Sequence, residues 1–440
     1  MSEQERNLNE ADPSEKETVS EEPLSEEASS KKPKKERKYA RISLLLAVFI
    51  ALLLCLATFL ATYAVLTLRQ DAETASLRSE LARFSKLDQI LDTLSGRYVN
   101  GADESERMEN AYYALFDDLD PYSFYMSADE YNAFRADRSA QYAGIGANVT
   151  MDPETEGLYV YRVLPNGPAD RAGLKAGDII TAVEGIDVQA STYAEAVAAV
   201  AGEPDTPVSL TLLRDGNAMA LQVIRGTVES RSVWYSATED GIAVIEITDF
   251  SASYVVDQFK AALEKAKQDG CKAYLFDVRD NPGGDLTTIC SALDLLLPEG
   301  PIIHIVTGAG EERQERIISS DANRLVEGPM AVLCNGKTAS AAELFTADLK
   351  EYGLASVIGV KTYGKGTVQS VFTCSDGSAY KLTTSYYTPK SGTGYNGIGI
   401  LPDTEVTLSD DPNANRYRMS KDEDRQWQEA VRQLRAALAD

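Results

Sequence analysis

The chain has 440 residues, which is enough for two or three domains. It contains 68 acidic residues against 43 Lys and Arg, a formal net charge of −25. This balance argues against a nucleic-acid partner, because binding to phosphates depends on clustered Lys and Arg. The single histidine, His304, excludes a metal site built from several histidines.

The N-terminal residues predict a membrane anchor. Residues 1–41 are polar and end in a Lys- and Arg-rich cluster, so we expect a disordered cytoplasmic tail. Residues 42–68 carry no charge and exceed the ~20 residues that span a bilayer. The positive-inside rule then places the N-terminus in the cytoplasm and the rest outside a single-pass cell membrane. A cleaved signal peptide is the alternative, but its leader would be too long.

Residues 69–140 are predicted to be a helical region. Apolar residues from Leu77 to Leu94 recur at helical spacing. A second helix is predicted over 108–116, and the turn at 117–123 ends it.

The remainder divides into three predicted segments. Residues 141–227 hold short strands separated by turn residues, with one helix over 193–200. Residues 228–408 alternate strands and helices, which predicts a largely parallel α/β sheet. Its strands are expected at 241–247, 272–278 and 330–334, and its helices at 255–268, 286–297 and 340–352. Residues 409–440 are a C-terminal helical segment with a helix over 423–438.

The five cysteines show no CxxC and no zinc-type spacing; they are Cys55, Cys271, Cys290, Cys334 and Cys374. We predict free or buried thiols. A disulfide among the last four stays open if they face an oxidising compartment.

Ser340 lies in the stretch Ala339-Ser340-Ala341-Ala342-Glu343, which follows an apolar strand and opens a helix. By itself such a serine is an N-cap. A serine hydroxyl becomes a nucleophile only when a base activates it.

Lys365 is flanked by two glycines, an unusual setting for a lysine because glycine offers no side chain to pack. A lysine can act as a base only when burial lowers its pKa from ~10.4. Gln369, four residues later, would share its face on an extended strand and could hold the amine without adding charge.

Two glycine-rich stretches can present free backbone N–H groups. The turn Asn281-Pro282-Gly283-Gly284 follows a strand and could form an oxyanion hole. The loop Ala143-Gly144-Ile145-Gly146 could capture a terminal carboxylate while the peptide extends a sheet. The turn at 281–284 is otherwise explained as a tight turn that needs positive φ.

In order and spacing, these stretches resemble the C-terminal processing peptidases, or tail-specific proteases of serine peptidase family S41. The resemblance runs from about Leu87 to about Leu434 and includes a PDZ domain. It also includes the Leu-Asp-Pro-Tyr-Ser turn at 119–123 and the late signature Gly399-Ile400-Leu401-Pro402-Asp403.

The resemblance implies a crotonase-like α/β core, as in the Clp peptidase, with an inserted PDZ domain. Ser340 would attack the peptide carbonyl, Lys365 would accept its proton, and Gln369 would orient Lys365. The N–H groups of Ala341 and of Gly283 or Gly284 would bind the oxyanion.

The resemblance also gives expectations about ligands and partners. The PDZ domain would hold the unstructured C-terminus of a protein substrate and gate the site. No cofactor and no metal are implied, and a homodimer is compatible with the helical ends of the chain. No peptidoglycan-binding module is recognised after residue 405.

One position departs from the family pattern. Asp280 stands where the family often has Asn, and its charge could oppose the oxyanion.

Two other functions remain as alternatives. One is a catalytically silent or latent PDZ receptor for extracytoplasmic peptide tails. The other is a Ser-His-Asp hydrolase that uses His304.

Overall fold

The computed structural model describes residues 44–136, 140–308, 313–321, 323–411 and 413–439. The chain divides into two compact units, with the boundary between Gly101 and Ala102. The predicted disordered tail and basic cluster of residues 1–41 lie outside the described residues.

In its described part, the first unit holds two helices, α1 (Leu44–Ala82) and α2 (Ser85–Arg97). Within α1, the 25 residues Leu46–Gln70 have a mean hydropathy of 2.5 and are long and apolar enough to cross a membrane. A signal sequence near the N-terminus has the same properties. The helix continues past the predicted limit at residue 68, because neither Pro nor Gly interrupts the chain before Ala82.

The second unit begins with α3 (Glu104–Ala114), which Asp103 caps by accepting the Glu106 N–H. It is followed by strand β1 (Phe124–Met126) and helix α4 (Ala128–Ala136). The strand was not expected in a helical region. It forms because Tyr125 and Met126 are buried and the backbone pairs with a strand more than 250 residues later.

Residues 141–229 form a small β-domain around one apolar core. Strand β2 (Gln141–Gly144) pairs with β9 (Gly226–Glu229), and a separate antiparallel sheet has the order β3-β4-β5-β7-β8, with β6 beside β5. Its elements are β3 (Ala147–Met151), β4 (Leu158–Val163), α5 (Pro168–Ala172), β5 (Ile179–Val183), β6 (Ile186–Asp187), α6 (Tyr193–Val200), β7 (Pro207–Arg214) and β8 (Asn217–Ile224). Strand β3 is at the edge of this sheet, and α6 has the predicted bounds.

The predicted α/β sheet is confirmed. Its strands are β10 (Val233–Ala237), β11 (Ile242–Ile247), β12 (Ala273–Asp277), β15 (Met330–Cys334), β16 (Ala355–Gly359) and β19 (Thr404–Glu405), in that spatial order. All neighbours are parallel except β10 and β11.

Helices cover both faces of this sheet. One face packs against α7 (Tyr254–Gln268), α8 (Leu286–Asp294) and α9 (Ala341–Glu351). The other packs against α10 (Arg425–Ala439), through Ala430, Val431 and Leu434. Asp424 caps α10 by accepting the Trp427 N–H.

A second, antiparallel sheet was not predicted. It contains β13 (Gly300–Thr307), β14 (Gln314–Ser320), β17 (Thr367–Thr373) and β18 (Ala379–Thr388). Strand β18 pairs with β1, β13 and β17, and β13 pairs with β14. The first sheet therefore supplies the start of α9 to the site, and the second supplies the residues around β17.

The cysteines are unpaired. Within the described residues Cys271, Cys290 and Cys334 are buried thiols, and Cys55 and Cys374 are exposed. Burial raises the pKa of the Cys290 and Cys334 thiols to about 12, so both are unreactive.

Candidate active site

Ser340 occupies the N-cap position of α9, between the turn that follows β15 and the first helical residue. Its φ of 55° is uncommon for a residue other than glycine. Such a conformation costs about 1–3 kcal/mol and persists only where the surroundings impose it. It turns the hydroxyl-bearing residue sharply between strand and helix.

Glu343 imposes part of this geometry, and no role was predicted for it. Its fully buried carboxylate accepts hydrogen bonds from the Ser340 N–H (2.9 Å) and the Thr362 hydroxyl (2.6 Å). It also accepts the N–H groups of Gly364 and Lys365, each at 2.7 Å. One carboxylate thus holds the backbone on both sides of the proposed pair. The only signal in the sequence is a capping-box spacing, with Glu three residues after Ser340.

The turn at Gly283 packs directly on Ser340. A Cβ at Gly283 would lie 2.7 Å from the Ser340 Cβ, so this position requires glycine. The Gly283 N–H donates to the Asn281 side chain (2.8 Å) and is already occupied. Within the described residues, the N–H groups of Gly284 and Ala341 have no acceptor. Two of the three predicted oxyanion donors are therefore available.

Asp280 precedes this turn, and its charge is balanced. Its Oδ2 accepts a hydrogen bond from Arg416 Nε (2.6 Å), and its Oδ1 accepts one from the Asn335 amide (3.0 Å). Its φ of 61° belongs to a region that Asp and Asn tolerate better than most residues. The departure from the family pattern therefore does not leave an unpaired charge beside the glycine turn.

The Lys365 side chain has a different support. Its Nζ lies over the Tyr122 ring, 3.9 Å from the centroid. Burial lowers the pKa of Lys365 to about 8, and the nearby Lys381 acts in the same direction, while Asp120 and Glu343 oppose the shift. Near neutral pH a useful fraction of this lysine is therefore unprotonated.

The turn at 119–123 positions the Tyr122 ring. Asp120 accepts hydrogen bonds from the Ser123 hydroxyl (2.8 Å), the Tyr122 N–H (3.0 Å) and the Thr383 hydroxyl (3.0 Å). The Tyr122 hydroxyl donates to the Tyr363 hydroxyl at 3.2 Å. The predicted turn at 119–123 therefore fixes the Tyr122 ring beside the Lys365 amine.

Gln369 is near Lys365 but bonded elsewhere. Its amide nitrogen donates to the hydroxyls of Thr367 (3.0 Å) and Thr383 (3.1 Å). Within the described residues no hydrogen bond joins it to Lys365. Strand β17 begins only at Thr367, and its register shifts before Gln369, so the same-face argument for a continuous strand does not apply.

All six predicted catalytic and oxyanion residues line one cavity of about 290 Å³. They are Ser340, Lys365, Gln369, Gly283, Gly284 and Ala341. The apolar side chains of Ile289, Ile303 and Leu344 form part of its wall.

His304 is not part of this site. Its neighbour Ile303 on β13 lines the cavity, and successive strand residues point to opposite faces. The His304 Nδ1 lies 3.4 Å from a Glu315 carboxylate oxygen instead. This geometry argues against a Ser-His-Asp triad that uses His304.

The glycine-rich loop at 143–146 lies beside the edge strand β3. Ala143 and Gly144 end β2, Ile145 is buried, and Gly146 has a φ of 75°. Within the described residues no acceptor is found for the N–H groups of Ile145 and Gly146. Free N–H groups next to an open sheet edge are suited to an added peptide strand.

The outer face of the β3–β4 hairpin rests on the short 3₁₀ turn Arg416–Arg418. The Tyr161 and Tyr417 rings stack with their centroids 4.0 Å apart. The Asp152 carboxylate pairs with Arg418. Because Arg416 also binds Asp280, this turn connects the small β-domain to the glycine turn beside Ser340.

Comparisons with known proteins match two segments of the chain to family models. Residues 241–406 match the model of peptidase family S41, and residues 159–214 match that of the PDZ domain. The chain is similar to the carboxy-terminal-processing protease of Bartonella bacilliformis, at 30% identity over 80% of this chain and 81% of that protein. It is also similar to the carboxy-terminal processing protease CtpA of Bacillus subtilis, at 31% identity over 75% of this chain and 70% of that protein.

Among solved structures, a putative S41 protease from Bacteroides fragilis has a similar fold. It has a TM-score of 0.51 and 15% identity and covers 79% of this chain and 96% of its own.

Proposed function

Because this chain belongs to the carboxy-terminal processing serine proteases of peptidase family S41, we propose that Ser340 is its nucleophile and Lys365 its general base. One observation carries this assignment. Ser340 and a lysine whose pKa is lowered to about 8 line the same cavity as two unoccupied backbone N–H groups. Nucleophile, base and oxyanion donors are the groups that acyl transfer needs.

In the proposed reaction, the Ser340 hydroxyl attacks the peptide carbonyl as neutral Lys365 takes its proton. The N–H groups of Gly284 and Ala341 donate hydrogen bonds to the oxyanion that develops on the carbonyl oxygen. Protonated Lys365 then gives the proton to the leaving amine. Neutral Lys365 then takes a proton from a water molecule as that water attacks the acyl carbonyl. The bond to the Ser340 oxygen breaks, and protonated Lys365 returns the proton to that oxygen.

Gln369 is proposed to position Lys365 indirectly, through a chain of hydrogen bonds. It donates to Thr383, Thr383 donates to Asp120, and Asp120 holds the turn that carries Tyr122. A direct contact with Lys365 would need a rotation of the Gln369 side chain.

The PDZ domain is proposed to recognise the unstructured C-terminal tail of a protein substrate. The free N–H groups at Ile145 and Gly146 would bind the terminal carboxylate, and the peptide would pair with β3. A chain of contacts supports gating of the active site by the PDZ domain. The Tyr161 ring stacks on Tyr417, and the adjacent Arg416 binds Asp280 next to the proposed oxyanion turn.

A latent enzyme is the second candidate. Within the described residues no hydrogen bond joins the Ser340 hydroxyl to the Lys365 amine. Catalytic hydrogen bonds often close only in the substrate complex. In the latent form, a tail bound to the PDZ domain would promote formation of the hydrogen bond between Ser340 and Lys365. A silent receptor would not cleave any substrate.

The helix Leu46–Gln70 is proposed to anchor the chain in the cell membrane, with the catalytic unit on the extracytoplasmic side. Resistance to carbonate extraction and protease accessibility in intact cells would support this topology. Release of the protein by carbonate, or a shortened N-terminus, would instead indicate a cleaved signal sequence. The homodimer stays a prediction that sedimentation of the solubilised chain can test.

The central test uses the full-length chain in detergent and an unfolded protein with an apolar C-terminus. We expect cleavage by the parent and by Ser356→Ala, an exposed matched control, and none by Ser340→Ala or Lys365→Ala. Equal cleavage by the parent and Ser340→Ala would refute the nucleophile. Tail binding without turnover under every condition would favour the silent receptor.

A further inference from the structure

Tyr387 is a buried residue of the catalytic cavity to which the proposed mechanism gives no task. It lies on β18, is 4% exposed and lines the same cavity as Ser340 and Lys365. Its side chain reaches the lysine loop, where the phenol hydroxyl donates a hydrogen bond to the Lys365 carbonyl oxygen at 3.0 Å. Its backbone N–H donates to the Gly366 carbonyl oxygen at 3.1 Å. One residue of the second sheet therefore holds two successive carbonyl groups of this loop.

The peptide group between Lys365 and Gly366 is held at both of its polar atoms. Its carbonyl oxygen accepts from Tyr387, and its N–H donates to the Asn396 side chain at 2.9 Å. On the other side of Lys365, the preceding peptide group donates its N–H to Glu343. Without these contacts the loop would turn easily, because the glycines on either side of the lysine restrict the backbone little. The backbone of the proposed base is thus fixed from α9 on one side and from β18 on the other.

The Tyr387 hydroxyl also lies close to the nucleophile. Burial raises the pKa of Tyr387 well above its usual value, and the neighbouring hydroxyls of Tyr395 and Ser340 oppose this shift. The Tyr387 and Tyr395 rings meet edge to face, with their centroids 5.9 Å apart. Tyr387 therefore stays neutral throughout the pH range in which Lys365 changes its charge. Its single proton is donated to the Lys365 carbonyl, so towards Ser340 its oxygen acts only as an acceptor.

We propose that Tyr387 is a positioning residue whose hydroxyl orients the Lys365 peptide group, so that the lysine amine lies within proton-transfer reach of the Ser340 hydroxyl. The inference rests on the proposed function of Ser340 and Lys365. Tyr387 acts through the lysine, because rotation of this peptide group displaces the long side chain attached beside it. A displacement of about 1 Å at a reacting group can cost about 10²-fold in rate. Glu343 alone does not prevent the rotation, since it holds only the peptide group on the other side of the Lys365 Cα.

The test compares the full-length parent with Tyr387→Phe, both in detergent, on a fluorogenic peptide with an apolar C-terminus. The substitution keeps the ring and removes only the hydroxyl. We expect kcat to fall by about 10–100-fold while KM stays within about twofold of the parent, because the contacts to substrate are unchanged. A displaced amine is also less buried, so the pKa of Lys365 rises and the acidic limb of the kcat/KM profile moves to higher pH.

Two further variants complete the test. Tyr386→Phe removes an exposed hydroxyl from the neighbouring position of β18, so it is the matched control and should behave as the parent. Asn396→Ala frees the N–H of the same peptide group, and because Asn396 is exposed, the fold should stay intact. We expect Asn396→Ala to lower kcat and to move the acidic limb in the same direction as Tyr387→Phe.

Two results would overturn this inference while leaving the proposed function intact. The first is parental kcat in Tyr387→Phe while Ser340→Ala and Lys365→Ala stay inactive; if Tyr387→Phe does not fold, the same criterion applies to Asn396→Ala. The second is a loss of activity that follows Tm and KM while the acidic limb stays in place, because such a loss indicates packing alone. If Ser340→Ala cleaved as fast as the parent, the proposed function would fail instead.

Discussion

The Ser340 turn and the Lys365 loop are built in different ways. Ser340 is fixed through its backbone, by a positive φ, the Glu343 carboxylate and the close approach of Gly283. The Lys365 backbone shares the Glu343 anchor, but its amine rests on a ring face 3.9 Å away. Directional hydrogen bonds and steric contact specify the nucleophile, and burial and ring electrostatics specify the base. Substitutions that disturb the Ser340 turn should therefore abolish activity, whereas substitutions around the Lys365 amine should lower activity by degrees.

The largest effect is expected where the two regions meet. Glu343→Ala leaves four hydrogen-bond donors without their acceptor, and each buried loss costs about 1–3 kcal/mol. We expect activity to fall by about 10³-fold or more together with a clear drop in Tm, measured by peptide cleavage and thermal unfolding. Glu264→Ala, an exposed residue on α7, is the control. Parental activity in Glu343→Ala would show that neither region depends on this carboxylate.

Gly283→Ala tests the Ser340 turn alone. The new methyl group would lie 2.7 Å from the Ser340 Cβ, so Ser340 and the adjacent N–H donors must move. We expect kcat to fall by about 10²–10³-fold, as when an oxyanion donor is lost. Gly353→Ala is matched, because its φ is also positive, at 67°, but nothing lies within 4 Å of the added Cβ. Equal effects of the two changes would attribute the loss to backbone strain and not to the contact with Ser340.

The pH dependence of the parent tests the Lys365 loop. Only neutral Lys365 can accept a proton, and its pKa is lowered to about 8. We expect kcat/KM to rise with pH and level off above about pH 8, with about 1% of the plateau at pH 6. A profile that is flat from pH 6 to pH 9 would exclude Lys365 as the titrating base.

The smallest effect is expected at the ring beneath Lys365. At pH 9 Lys365 is mostly neutral, and the Tyr122 ring stabilises the ammonium that forms as Lys365 takes the Ser340 proton. Tyr122→Leu removes this aromatic face, worth about 0.5–2 kcal/mol to a nearby ammonium, and should lower kcat at pH 9 by about tenfold. Tyr122→Phe keeps the face and loses only the contact with the Tyr363 hydroxyl, so we expect activity within about twofold of the parent. If Phe and Leu gave the same loss, the hydroxyl and not the ring would be the important feature.

Local sequence patterns predicted the α/β sheet well. The helix expected over 255–268 is Tyr254–Gln268, and the strand expected over 330–334 is Met330–Cys334. The assembly of the second sheet was missed because β1 and β13 each pair with β18 across long stretches of chain. Such pairing leaves no periodic signal in a short window.

The candidate site shows the same division between features set by local sequence and features set by distant contacts. The motifs identified residues that share one cavity, but the period-two argument for Gln369 assumed a regular strand where the structure has a register shift. The role of Glu343 was missed because a capping-box glutamate is usually a local feature. Here it also binds Thr362, Gly364 and Lys365.

The sequence alone determined the element types of the α/β sheet and the candidate nucleophile, base and glycine turns, because periodicity and side-chain chemistry are local properties. Only the tertiary structure decided that the Lys365 pKa falls, that Gly284 and Ala341 keep free N–H groups, and that Lys381 lines the same cavity. These properties depend on burial and on partners far away in the chain. They exist only once the two sheets have come together.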